Sequence, residues 1–390
     1  LKLFLIQREK INVSSHFKNI FIMRYIVFFS LIGLFFSCKT EVDLIGDYKV
    51  TPVIYGLLDQ SDSIHYIKIN RTFLGQGNAL DMAQVPDSSY FDNVFATITE
   101  TLSNGATGRT WVLRDTLVEN KETNGVFFAP EQKLYYFATP TIQNDPTNSL
   151  KPDAKYRLDV NINDGEFNIT AETELINGVL QTTPNSNSSY IFIGSQPNDY
   201  RTQIFAFLRG NAKRFSFRLD FHYSETDVNN VVTDKSFQWT FPDLISSSGT
   251  SVLFNAAGEV FFQTVRNRIP VDNNIVKREP TFFTVNLVAG SEVLDNFINA
   301  NQPSSSLAQN KPSYTNLEGG AIGVFTARYT IQNTRLFINP VSPNQRGLSE
   351  PSTKELCQGQ YTSLLNFCSS HIQDTNPPAN PNVPKPFACP

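Results

Sequence analysis

Clustered lysine and arginine are missing from this sequence. Its 32 basic residues are scattered and are outnumbered by 36 acidic ones, for a formal net charge of −4. Phosphate backbones are held by grouped basic side chains, so no nucleic-acid partner is expected. Histidine is scarce as well: beyond His16 there are His65, His222 and His371. None of them opens an H-E-x-x-H pair, and the chain holds no G-x-S-x-G, no phosphate-binding G-x-x-x-x-G-K-[ST] loop and no S-x-x-K with its companion motifs. Gly75-Gln76-Gly77 is a bare G-x-G after a strand, read as a turn. No catalytic, cofactor-binding or metal-binding residues are therefore expected, and no cofactor. Long apolar runs are also absent, apart from one near the start, so no spanning helix is expected further on.

That single run is MRYIVFFSLIGLFFSC, Met23 to Cys38. As a helix, Tyr25 to Ser37 would extend roughly 20 Å, short of the ~30 Å hydrocarbon core. Arg24 precedes it and the small Ser37 ends it, the layout of a signal peptide. The segment Leu34-Phe35-Phe36-Ser37-Cys38 resembles a bacterial lipobox, which implies that the Cys38 thiol carries the lipid and that residues 23–37 are removed. A thiolate can attack the lipid donor where a serine hydroxyl would not. Residues 1–22 precede the better start at Met23 and are read as untranslated or as an extended n-region. Residues 38–46 then form a tether. Losing residues 1–37 takes away Lys2, Arg8, Lys10, Lys18 and Arg24 against Glu9, so the remainder is more acidic than the whole. An acidic body is repelled by anionic surfaces and relies on its acyl chains for attachment.

What is abundant is aromatic: 32 Phe and 14 Tyr, with 22 Pro and 20 Gly spread along the chain. Such residues favour half-buried sheet. Tyr156, Leu158, Val160 and Ile162 alternate with Arg157, Asp159 and Asn161, then Asn163-Asp164-Gly165 turns the chain into Phe167, Ile169 and Ala171. Period two on both sides of an Asp-Gly turn predicts a hairpin. The same alternation appears at Phe215–Phe221, Phe237–Phe241 and Phe283–Leu287, and more weakly at Val50–Leu58, Ile64–Phe73, Val94–Leu102, Thr110–Leu117 and Leu134–Ala138. Ser291 caps a predicted helix carrying Val293, Leu294, Phe297 and Ile298, and residues 257–268 form a second. Polar loops are read at residues 144–152, 182–189 and 303–313. At about 150 residues per domain, two domains are expected. The fold class is mostly β, with an immunoglobulin-like sandwich at 47–180 and a second β-rich domain with one or two short helices at 181–345, divided near QTTPNSNSS. The Pro/Asn-rich tail, 346–390, is expected to bury little and to lie against the second domain.

The tail holds the remaining cysteines, Cys357, Cys368 and Cys389. In an oxidising compartment one disulfide is expected; Cys357–Cys368 closes the shortest loop, with Cys389 as the alternative partner. Adding His371 gives four residues that could ligate zinc, but without the close Cys-x-x-Cys pairs of structural sites. Asp159 to Thr170 passes briefly for a calcium loop, yet Asp164 and Thr170 stand where glycine and glutamate are required. His65, within a strand, is read as a structural histidine with its hydrogen bonds satisfied.

Three segments carry a resemblance: Tyr55-Gly56-Leu57-Leu58-Asp59, Ile64 to Phe73, and Tyr314 to Phe325. Together with the lipobox and the cysteine-bearing tail, they resemble a Bacteroidota lipoprotein family of unassigned function, a domain of unknown function often encoded beside TonB-dependent receptors. The resemblance covers most of residues 38–390 and brings no catalytic residues with it. Family members tend to carry closely spaced cysteines before the terminus, whereas here they are widely spaced. It implies an outer-membrane lipoprotein, held in the membrane through acylated Cys38, that serves a TonB-dependent β-barrel without catalysis. Lys39, Glu41 and Asp43 are similar to the short signals that send such lipoproteins to the cell surface; the periplasm-facing side is the alternative. Two other classes remain open at this point. One is an envelope adhesion or structural module. The other is a carboxylate-dependent hydrolase, which needs two acids about 5 to 10 Å apart in one cleft.

Overall fold

The computed structural model describes residues 49–72, 79–83, 85–119, 132–246, 248–302 and 313–390. The leader, Cys38, the G-x-G turn and most of the 303–313 loop lie outside the described residues.

The first half of the body holds β1 (Pro52–Asp59), β2 (Ile64–Arg71), β3 (Val94–Thr101), β4 (Thr107–Val112), β5 (Arg114–Val118), β6 (Gln132–Ala138), β7 (Lys155–Ile162) and β8 (Phe167–Glu174). The second holds β9 (Val179–Thr183), β10 (Thr202–Arg209), β11 (Arg214–Asp227), β12 (Val232–Thr240), β13 (Leu244–Ile245), β14 (Ser251–Ala257), β15 (Ile275–Gly290) and β16 (Ile322–Leu336). Three longer helices are α1 (Gly258–Arg268), α2 (Glu292–Asn301) and α3 (Glu350–Gln358). The protein is mostly β and sandwich-like, as the alternation and turn residues predict.

One large sheet runs β12-β11-β15-β16-β1-β2-β6-β5, with β13 on β11. Two smaller sheets cover it. Sheet β4-β3-β7-β8 packs over the β1, β2 and β6 end, enclosing Ile54, Ile67, Phe137, Tyr156, Leu158 and Ile169. Sheet β14-β10-β9 packs over the β11 and β15 end, enclosing Phe205, Phe207, Phe217, Phe254 and Phe283. The first core draws on residues from Ile54 to Leu175 and again on Leu317, Ala321, Phe325 and Ala327, while the second draws on residues from Ile176 onward. The large sheet nevertheless runs unbroken through both. Strand β16 gives Phe325 and Ala327 to the first core and Ile331 to the second, and pairs in parallel with β1. Gly323 is at that seam with φ +119°, and a Cβ there would meet the Ile54 carbonyl oxygen at 2.0 Å, so no other residue fits.

The hairpin forms as predicted: β7 and β8 pair through Ile162 and Phe167, with left-handed φ at Asn163 (50°), Asp164 (55°) and Gly165 (104°). Both predicted helices form. The Ser291 hydroxyl accepts from the Leu294 backbone N–H at 3.1 Å, capping α2. Two expectations are corrected. Residues 110–117 are two strands in different sheets, because Leu113 turns inward at the corner and donates its N–H to Ala96 at 2.9 Å. Strands β10 and β16 form where no alternation points to them. The tail does not merely lie on the surface: Leu348, Leu356, Leu365, Phe367 and Phe387 are buried in the second core. Its hold on the sheet comes from Arg278, 1% exposed, which donates to Glu225 at 2.8 Å and to the Leu365 carbonyl at 2.6 Å. No helix among the described residues is long and apolar enough to cross a membrane.

Candidate functional site

The tail is knitted together by polar side chains that the core does not require, and these surround a cavity. Its floor is β15. Pro280 has no N–H to give to a ladder, and the register of β15 on β11 slips there: Phe282 faces His222 while Pro280 faces Tyr223. Thr281 is the extra residue of this bulge, and bulges re-aim side chains. The Thr281 carbonyl accepts from Phe337 N–H at 2.9 Å, which fixes where the chain leaves β16.

The roof is the tail. Arg346 and Asp374 form a buried two-pronged pair, Nη1 to Oδ1 at 2.9 Å and Nη2 to Oδ2 at 2.7 Å. Asp374 is fully buried and also receives the Ser369 hydroxyl at 2.7 Å and Lys385 Nζ at 3.0 Å. Burial alone would raise its pKa, but hydrogen bonds from Arg346 and Ser369, the Arg346 charge and Lys385 outweigh that and hold the carboxyl below its usual range. Ser349 caps α3, and the His371 ring caps the one-turn helix Ile372–Thr375 by accepting Gln373 N–H on Nδ1 at 3.2 Å.

Between floor and roof lies a cavity of about 250 Å³, lined by residues that include Ser224, Glu279, Thr281, Phe337, Arg346 and His371. His371 is 3% exposed, and its Nε2 has no hydrogen-bond partner among the described residues. Because Nδ1 accepts, the neutral ring carries its proton on Nε2. Burial and the Arg346 charge lower the ring's pKa, and the Gln345 carbonyl opposes them without meeting Nε2 at hydrogen-bond geometry. Burial raises the Glu279 pKa, but Lys277 at 2.7 Å and the Ser370 hydroxyl overcome it, so the carboxylate stays charged.

The cysteine expectation is corrected. The bridge joins Cys368 to Cys389, the alternative partner, and Cys357 is free and buried. The shortest loop loses because Cys357 is on the core face of α3, whereas Ser369 and Ala388 pair in parallel and carry their neighbouring cysteines together. With two sulfurs bonded to each other, the four residues weighed for zinc are not a ligand set. No group of three or more His, Cys, Asp or Glu that could hold a metal is found among the described residues. Burial pushes the Cys357 thiol up to about 12, so it should resist alkylation. Iodoacetamide is expected to label it at least tenfold faster after denaturation, read by mass spectrometry without reductant. Labelling at equal rates in the folded protein would contradict its burial.

Residues once weighed for calcium are strand and turn, with Asp159 paired to Arg157 at 3.0 Å. His65 is buried, its Nε2 at 2.9 Å from the Thr139 hydroxyl, but its Nδ1 has no partner among the described residues, so only half of the expected satisfaction is met. Burial pulls its pKa down to about 4, and it stays neutral. The cavity itself was not anticipated. Pro280 inside a strand pattern was the available signal, since proline there marks a bulge. No protein-family model matches the chain, and no curated protein matches it.

Proposed function

We propose that this chain is a lipid-anchored outer-membrane protein that binds rather than catalyses, working as an accessory to a TonB-dependent β-barrel receptor. The observation that carries the reading is Leu34-Phe35-Phe36-Ser37-Cys38, set a short tether before the first strand at Pro52. Acyl chains confine the body to the membrane plane and raise its effective concentration beside a barrel. The resemblance to Bacteroidota lipoproteins, a domain of unknown function, supports the receptor as partner and the outer membrane as the address. A binding role is supported by the cavity under the tail. Among its lining residues Glu279 is the single carboxylate, and Asp374 behind it is already taken up by Arg346, Lys385 and Ser369.

The test is labelling of cells with radioactive palmitate. The native chain is expected to take up label and to stay in the membrane fraction. Cys38→Ser is expected to lose the label entirely and to reduce membrane retention at least tenfold, because one missing thiol removes every acyl chain. Equal retention of the serine variant would sink the anchor. Co-purification of a barrel after mild detergent extraction tests the partner, and failure to recover one removes it. Protease shaving of intact cells reports the side: cleavage means the cell surface, and full protection means the periplasmic face.

A further inference from the structure

We propose that the cavity between the β15 bulge and the C-terminal segment binds a small neutral polyhydroxyl molecule, the size of one sugar ring or cyclitol. This rests on the reading of the chain as a binding protein and names the ligand class of that site.

Size comes first. At about 250 Å³ the space lies just under the ~300–1,000 Å³ of sites for drug-sized ligands, so it takes one compact ring. Charge comes next. All five N–H groups of Arg346 are spoken for: Nε by the Leu348 carbonyl at 3.2 Å, and the others by Asp374 at 2.9 and 2.7 Å, Thr353 at 3.2 Å and His371 Nδ1 at 3.4 Å. Glu279 is balanced by Lys277. Each fixed charge at the cavity has its counterion, so an ionic ligand would bury a charge with nothing to answer it.

What is left over is uncharged and short. The hydroxyls of Ser224 and Thr281 have no protein partner among the described residues, and each can both give and take a hydrogen bond. The Glu279 carboxylate accepts from Ser370 and Lys277 and has lone pairs to spare. Pro280, Phe337, Ile338 and Leu348 add apolar lining. Uncharged hydroxyls and a spare carboxylate acceptor beside apolar lining match a ring that carries both hydroxyls and a bare C–H face. Thr281 reaches the cavity only because the bulge turns it there.

The experiment is titration calorimetry on the full chain in mild detergent. The probes are methyl α-glucopyranoside, methyl α-galactopyranoside and myo-inositol, with glucuronate and glucosamine as charged counterparts. Saturable binding of at least one neutral probe is expected, with both charged counterparts at least tenfold weaker. Thr281→Val keeps the shape and removes the hydroxyl; Glu279→Gln keeps the shape and removes the charged acceptor. Each is expected to weaken the neutral probe at least tenfold. His371 is left in place because it caps a helix. The proposal is overturned if no neutral probe gives saturable heat, if a charged counterpart binds as tightly, or if both variants bind like the native chain. Should that happen while palmitate labelling and barrel co-purification hold, the ligand class falls and the tethered accessory stands. Should labelling fail while binding holds, the reverse applies.

Discussion

Replacing Asp374 with asparagine is expected to cost about 3–5 kcal/mol of stability, the range for removing one partner of a buried ion pair. The carboxylate is fully buried and neutralises Arg346 on two oxygens while holding Lys385 at 3.0 Å. Asparagine keeps the volume but leaves Arg346 without its counterion and Lys385 with Glu350 alone, at 2.7 Å. Arg346 is 8% exposed and cannot turn to water. The control removes the charge on both sides. An Arg346→Met, Asp374→Leu double variant is expected to recover much of the loss, because two apolar groups incur no desolvation of charge. Urea unfolding without reductant measures all three, and a double variant as unstable as the single one would show that shape rather than charge matters here. The same pair sets a pH dependence. Its folded-state pKa lies below the ordinary value of about 3.9, so the stabilisation is complete above that value. It is lost as pH falls from there through the folded pKa. The native chain should therefore lose tail stability in that acid window, and the double variant should not show that component.

How much of this was legible in the sequence depends on which faces each strand buries. The β7–β8 hairpin was readable because one face is buried and the other is wet, which writes a period of two. Strand β16 was not, because residues Gly323 to Ala327 are all buried, so nothing alternates there. The split between β4 and β5 was hidden for a related reason: both pieces alternate, and only the buried Leu113 between them marks the change of sheet. The site was harder still. His371 and the cysteines drew attention by residue type alone. Arg346, Asp374, Glu279 and Thr281 are ordinary where they stand in the chain and are brought together only by long-range folding. The disulfide teaches the same point, since loop length ranks cysteine pairs by chain distance while the parallel bridge beside Cys368 and Cys389 ranks them by position in space.

Phe283→Ala is expected to cost about 3–5 kcal/mol, as for a large aromatic removed from a packed core. Phe283 is wholly buried at the middle of β15 and meets five rings: Tyr190, Phe192, Phe221, Phe261 and Phe337, with centroids 5.1 to 6.3 Å away. Those neighbours belong to a loop, to β11, to α1 and to the segment after β16, so no single rotamer change can fill the void. A fall in melting temperature on the order of 10 °C should follow. The two tryptophans make the experiment say more. Trp111 packs against the first core and Trp239 against the second, so Trp111→Phe and Trp239→Phe backgrounds report each core separately. If the sandwiches were held together only by the chain, Phe283→Ala would shift the Trp239 transition and leave Trp111 where it was. The shared sheet argues otherwise. Strand β16 pairs with β1 through Ile322–Arg328 and with β15 through Arg328–Leu336, and it has side chains in both cores. Losing the second core would unpair the C-terminal half of β16, Arg328–Leu336, and leave Phe325 and Ala327 on a strand held only by β1. Both tryptophans should therefore shift together, by several degrees at least. A Trp111 transition unmoved by the substitution would show that the β1–β16 pairing alone is enough to keep the first sandwich folded.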